Sequence, residues 1–235
     1  MLRVIRPFFL IFTRSDWKGG DKFPKSGGFV IAVNHISQLD PLFMGHYLAD
    51  QGVTPRFLAK DTIMNARGLK RILYSAEQIP VYRATEGAAD SLRKAIEAVN
   101  EGKSVTLYPE GTITRDPQLW PMTGRTGAVR VAHVTNAPLI PVAQWGVQDI
   151  LWPYTKRFRP LPRKTMHVRV GDPVDISWLG ENPTEADYEK ATDQLMDVLT
   201  QILSGIRGEL PTGPRQDVRT LAKPKTTYDD ERKAG

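Results

Sequence analysis

Gly28-Phe29-Val30-Ile31-Ala32-Val33-Asn34-His35-Ile36-Ser37-Gln38-Leu39-Asp40-Pro41 is the stretch on which the fold reading turns. Its first half is a short, unbroken apolar run bounded by glycine, the pattern of a strand buried on both faces. Its second half ends on Asp40-Pro41, a pair suited to the N-cap and first position of a helix. A buried strand that leads through a short polar turn into a helix is the repeating unit of an α/β domain.

The same alternation continues along the chain. Further strand candidates are Pro55 to Ala59, Gln78 to Tyr82, Ser104 to Tyr108, Leu139 to Ala143 and Met166 to Val170. Between them, Ser91 to Asn100 places Leu92, Ala95, Ile96 and Val99 on one helical face before Gly102. Thr184 and Asp187 form a capping box, after which Tyr188, Leu195, Leu199, Ile202 and Ile206 mark the buried stripe of a long helix. The expected architecture is a single α/β domain with a mostly parallel or mixed central sheet flanked by helices. Residues 26–210 are expected to form it, with a basic amphipathic leader over 1–25 and a mobile polar tail over 211–235.

The 235 residues carry a net charge of +6, and 40% of them are hydrophobic. That composition excludes a disordered chain and a multi-span membrane protein. The charge favours an anionic partner without choosing among nucleic acid, a phosphorylated metabolite and an anionic bilayer. With no cysteine in the sequence, disulfides, thiolate nucleophiles and Cys-based metal sites are excluded. The apolar run Pro7 to Phe12 is far shorter than the roughly 20 residues of a membrane span. Export is not expected, because no signal-peptide pattern is present. The leader combines Arg3, Arg6, Arg14 and Lys18 with Phe8, Phe9, Leu10, Ile11 and Phe12. An interfacial anchor has that composition, and so has a helix docked on its own domain. A second segment, Trp152 to Val170, sets six cations among aromatics and is read either as a lipid- or phosphate-facing surface or as a solvated loop.

Ligands of open α/β sheets bind beyond the carboxyl ends of the strands, so the residues just after each strand come next. His35 and Asp40 stand there, five residues apart. Four histidines and sixteen aspartates in 235 residues leave roughly 0.3 such pairs to chance, so the spacing alone decides nothing. A carboxylate on one imidazole nitrogen would fix the tautomer and leave the other nitrogen as a base. In isolation, a helix cap beside a half-buried histidine fits the pair as well. Other strand exits bring Lys60, Arg83, and Glu110-Gly111-Thr112 followed by Arg115. Each alone reads as a turn or a solvated charge; together they form a convergent polar edge. His46, His133 and His167 stand apart in sequence, and no metal site is expected.

Four blocks resemble those of the glycerolipid acyltransferase family, typified by the 1-acylglycerol-3-phosphate acyltransferases. They are Asn34-His35-Ile36-Ser37-Gln38-Leu39-Asp40, Gln78-Ile79-Pro80-Val81-Tyr82-Arg83, Tyr108-Pro109-Glu110-Gly111-Thr112-Ile113-Thr114-Arg115 and Pro138-Leu139-Ile140-Pro141-Val142-Ala143, and they occur in family order. The resemblance implies that His35 is the base for an acceptor hydroxyl and that Asp40 orients it. It also implies that Glu110, Gly111 and Thr112 position the acceptor, and that Arg83 and Arg115, with Lys60 as a helper, bind its phosphate. The implied donor is acyl-CoA or acyl-carrier protein, used without a cofactor, and the implied acceptor is a lysophospholipid at the cytoplasmic face of an anionic membrane. Tyr108 replaces the commoner Phe, and Ile113 stands where many members carry an additional arginine. Other acceptors, such as a monoacylglycerol, another lysophospholipid or a glycolipid, keep the same catalytic pair. A non-catalytic basic protein that binds lipid or nucleic acid would account for the charge but leave the ordered blocks to coincidence. No zinc-finger or RNP signature supports a nucleic-acid partner.

Overall fold

The computed structural model describes residues 2–60, 79–81 and 85–222. The chain runs α1 (Leu2–Phe12), β1 (Thr13–Lys18), β2 (Phe29–Val33), α2 (Asp40–Asp50), β3 (Leu58–Lys60), β4 (Ile79–Val81), α3 (Thr85–Asn100), β5 (Ser104–Leu107), α4 (Gly127–Val134), β6 (Leu139–Trp145), β7 (Lys164–Val170) and α5 (Glu185–Arg207). Among the described residues, five strands form a sheet in the order β1-β7-β6-β2-β5. All neighbours are parallel except β6 and β7. A parallel bridge from Phe57 to Thr106 ties the β3-β4 pair to the outer edge of β5.

The alternation of β2 sorts its side chains into two cores. Val30 and Ala32 join Val105, Leu107 and Leu139 under α3, α4 and α5, where Ala95, Val129, Leu195 and Leu199 meet them. Phe29, Ile31 and Val33 face the other way, against Phe9 of α1 and Phe43, Met44, Tyr47 and Leu48 of α2. Ile31 and Val33 are fully buried, and each such side chain contributes about 1.5–3 kcal/mol. The double burial explains why the run has no polar alternation, and it holds the β2 exit rigid where the site begins.

The long C-terminal helix starts as the capping box requires, with Thr184 and Asp187 bonded reciprocally. Two regions differ from the sequence expectation. The leader is not one element: α1 ends at Phe12 and the chain enters the sheet as β1, paired with β7. Thr13 to Lys18 has no apolar alternation; this edge strand is held by its parallel ladder to β7 and by side-chain bonds at Asp16. Asp16 takes His167 Nδ1 and Arg169 Nη2, each at 2.7 Å, and the Arg169 guanidinium leads in drawing the Asp16 carboxyl down to about 2. The segment after Pro211 is docked as far as Leu221. Thr123 N–H donates to Gln216 O at 2.9 Å, Val218 N–H donates to Thr123 Oγ1 at 3.1 Å, and Val218 is buried. Its main-chain groups are bonded by Thr123 and Arg115, and its Arg215 pairs with Asp193 and Asp197 of α5; residue composition carries no trace of such long-range contacts.

Candidate active site

The site is built on the adjacent exits of β2, β5 and β6. Asn34, buried at the end of β2, is clamped to β6. Its Oδ1 accepts Gln144 N–H at 2.8 Å and its Nδ2 donates to Gln144 O at 3.1 Å, while Gln144 Nε2 donates to Asn34 O at 3.0 Å. The clamp fixes the direction in which the next residue, His35, leaves the sheet.

His35 Nδ1 lies 2.7 Å from Asp40 Oδ2. The four residues between them form a turn closed on the same oxygen, which accepts the N–H groups of Ile36 at 2.6 Å and Ser37 at 2.9 Å. Ser37 is buried, donates to Leu151 O at 2.8 Å and accepts Leu39 N–H at 3.2 Å, the part of a turn residue. Asp40 was expected to cap the helix. It is instead the first helical residue, with Pro41 beside it in the first turn, and its carboxylate reaches back into the loop. Its Oδ1 is buried without a hydrogen bond. Complete burial pushes the Asp40 carboxyl up, and His35 and the loop N–H groups oppose that push. The His35 side chain keeps 16% exposure, and its Nε2 has no partner among the described residues. A histidine held through Nδ1 with Nε2 open is arranged to exchange a proton with a bound hydroxyl.

The β5 exit encloses this pair. Tyr108 stacks on the imidazole with ring centroids 4.2 Å apart and planes at 25°. Glu110 is fully buried, its Oε1 accepting His35 N–H at 2.9 Å and its Oε2 accepting Met122 N–H at 3.1 Å. Burial drives the Glu110 carboxyl up to about 8 against the pull of those two donors. Thr114 N–H donates to His35 O at 2.7 Å, so both main-chain groups of His35 are bound to the 110–114 loop. Gly111 is exposed and left-handed at φ 66°, and Thr112 is half-buried beside it.

The strand exits thus bring His35, Asp40, Glu110, Gly111 and Thr112 together. Arg115 is turned away: its Nη1 donates to Val218 O at 3.2 Å and to Leu221 O, in the docked C-terminal segment. Lys60 closes β3, but its side chain lies outside the described residues, as does the whole of Arg83. Sequence reasoning missed the Asn34–Gln144 clamp and the stacking role of Tyr108. An Asn at a strand exit was the only local signal for the first; the second needed the register of β2 against β5. Among the described residues, no group of three or more His, Cys, Asp or Glu is placed to hold a metal ion, and no helix is long and apolar enough to cross a membrane. The surface depressions lined by Trp178 and Lys190 and by Lys22 and Val170 include neither His35 nor Asp40.

A histidine oriented by a buried carboxylate at the exit of a parallel strand, beside a Pro-Glu-Gly-Thr loop, defines a class of α/β proteins equipped for base-assisted group transfer. Residues 14–145, more than half of the chain, match the family model described as Acyltransferase, and the chain belongs to that family. It is 26% identical over 187 residues to a 1-acyl-sn-glycerol-3-phosphate acyltransferase of Borreliella burgdorferi, a match covering 78% of this chain and 71% of that protein. A Saccharomyces cerevisiae protein of the same name is 28% identical over 176 residues, with 74% of this chain and 56% of the yeast protein covered. The fold is similar to the crystal structure of the 1-acyl-sn-glycerophosphate acyltransferase PlsC from Thermotoga maritima. That match has a TM-score of 0.66 at 20% identity and covers 90% of this chain and 81% of the other.

Proposed function

We propose that this acyltransferase moves a fatty acyl group from acyl-CoA or an acyl-carrier protein to the free hydroxyl of a 1-acylglycerol-3-phosphate-like lysophospholipid. The observation that carries the reading is the His35–Asp40 pair, held at 2.7 Å with Nε2 open. The names of the relatives support the acceptor class.

His35 Nε2 takes the proton of the acceptor hydroxyl as its oxygen attacks the thioester carbonyl carbon. The C–S bond then breaks, and the imidazolium returns the proton to the departing thiolate. The product is a new ester and a free thiol, with no covalent acyl-enzyme. Asp40 keeps the proton of the ring on Nδ1 and stabilises the imidazolium formed in between. Glu110, fully buried, is a strut for the His35 backbone and positions the acceptor through it. Gly111 and Thr112 form the adjoining surface on which an acceptor can lie.

The reaction takes place at a membrane in this reading, at the cytoplasmic face, with the protein peripheral. Leu10, Ile11, Phe158 and Leu161 are exposed. Phe8 stacks on Phe158 at 5.9 Å, and Arg163 Nη2 donates to Leu10 O at 2.9 Å and to Thr13 O at 2.6 Å. Those contacts join the α1 end and the 152–163 loop into one apolar surface rimmed by the exposed cations Lys156, Arg157 and Arg159. Apolar area combined with cations suits an anionic bilayer. An unphosphorylated acceptor such as a monoacylglycerol is the second reading, favoured by the engagement of Arg115 with main-chain carbonyls.

The test is thiol release from acyl-CoA by purified protein given 1-acylglycerol-3-phosphate, other lysolipids or monoacylglycerol, alongside His35→Ala. The expected result is acceptor-dependent release that His35→Ala lowers by about a hundredfold or more. Wild-type rates in His35→Ala would overturn the mechanism.

A further inference from the structure

The apolar Ile113 and the diverted Arg115 leave the Pro-Glu-Gly loop without a cation from its own block. A guanidinium nevertheless lies across that loop. A Cβ placed on Gly111 would stand 2.8 Å from Arg125 Nε and 3.0 Å from its Cδ, so the Arg125 side chain occupies the space a side chain at 111 would need. The backbone beneath it is fixed. Arg125 N–H donates to Pro109 O at 2.8 Å, and Gly124 lies so close to α5 that a Cβ there would meet Thr192 Cγ2 at 2.7 Å and Met196 Sδ at 3.0 Å. The framework thus holds the Arg125 main chain beside the Pro-Glu-Gly loop, with its side chain over Gly111.

Three arginines occur between Tyr108 and Arg130 inclusive. Arg115 is bound to the C-terminal segment, and Arg130 is paired with Glu185 and lies over the Tyr188 ring at 4.0 Å. Arg125 is exposed and, among the described residues, its guanidinium makes no hydrogen bond or ion pair. It therefore keeps its planar donor set available for an oxyanion. Gly111 directly follows Glu110, whose carboxyl holds the His35 N–H at 2.9 Å. The phosphate of a 1-acylglycerol-3-phosphate is only a few covalent bonds from the hydroxyl that reacts at His35, whereas the phosphates of CoA lie at the far end of the pantetheine arm.

Resting on the acyl-transfer reading above, we infer that Arg125 binds the phosphate monoester of the acceptor, a task the sequence blocks had assigned to Arg83 and Arg115. It is a binding and specificity residue that discriminates a phosphorylated acceptor from a neutral one. The proton transfer stays with His35.

The experiment compares the full chain with Arg125→Ala and Arg125→Lys, using a short-chain lysophosphatidate below its micellar concentration, the matching monoacylglycerol and acyl-CoA. Arg125→Ala is expected to raise the KM for lysophosphatidate about tenfold and to lower the lysophosphatidate-to-monoacylglycerol preference by the same factor. Arg125→Lys, which keeps the charge but loses the fork, recovers part of that preference. A second arm measures equilibrium binding of lysophosphatidate to His35→Ala and to the His35→Ala, Arg125→Ala double variant, where about tenfold weaker binding by the double variant is expected. Equal losses on both acceptors, a KM rise confined to acyl-CoA, or unchanged lysophosphatidate binding would each overturn the assignment. If no acceptor gives thiol release with the wild-type chain, the acyl-transfer reading fails, and Arg125 is judged by the binding arm alone.

Discussion

Glu110 and His35 are joined through a side chain and a main chain: the buried carboxyl oxygen Oε1 accepts the His35 N–H at 2.9 Å. The bond ties the β5 exit to the β2 exit and leaves the imidazole free for Asp40 and a substrate. Its strength depends on a carboxyl group that burial displaces strongly from its ordinary behaviour.

That displacement predicts a pH signature. The Glu110 carboxyl rises from 4.5 to about 8 on folding, so the folded chain holds a proton that the unfolded chain releases. The stabilisation from this group is complete below about 4.5 and is lost as pH rises through about 8. Urea unfolding of wild type and Glu110→Gln across that window should therefore show the wild-type stability falling relative to the variant as pH increases. A relative rise would mean that the two N–H donors hold Glu110 ionised in the fold.

Asp40→Asn retains the shape of the turn but removes the anion that three donors share. The imidazolium loses its counter-charge, and the amide can present a donor where Nδ1–H should donate. Thiol release is expected to drop by about a hundredfold to ten-thousandfold with the circular dichroism unchanged. A drop below tenfold would remove Asp40 from the mechanism.

Asn34→Ala deletes two of the three bonds to Gln144 and leaves the Gln144 backbone N–H buried without its acceptor. A loss of about 1–3 kcal/mol in unfolding free energy is expected, together with a fall in activity as the His35 exit loosens. Full stability in the variant would show that the clamp is replaceable.

Leu10→Asp with Phe158→Asp places two carboxylates on the exposed apolar surface formed by α1 and the 152–163 loop. Sedimentation with phosphatidylglycerol vesicles should fall about tenfold, and wild-type binding should weaken with added salt. Equal sedimentation of wild type and variant would place the membrane contact elsewhere.

Local features carried much of the reading. The strand at Phe29–Val33 is legible because burial on both faces demands an unbroken apolar run, and the start of α5 because Thr184 and Asp187 satisfy each other three residues apart. β1 was hidden because an edge strand held by Asp16, His167 and Arg169 needs no apolar pattern. Asp40 was legible as a partner of His35, but not as the acceptor of two loop N–H groups, which takes the closed turn to produce.

The sequence by itself determined that a histidine, an aspartate and a Pro-Glu-Gly-Thr loop would meet at one sheet edge, because each follows a strand whose apolar residues dictate where it lies. Only the tertiary structure decided which of Arg115 and Arg125 lies against that loop. Arg115 bonds to a carbonyl 106 residues away, while Arg125, outside the four blocks read from the sequence, lies across Gly111 on a loop pressed against α5. A long charged side chain takes its direction from distant main-chain acceptors and from close glycine contacts, and neither leaves a periodic trace in the sequence.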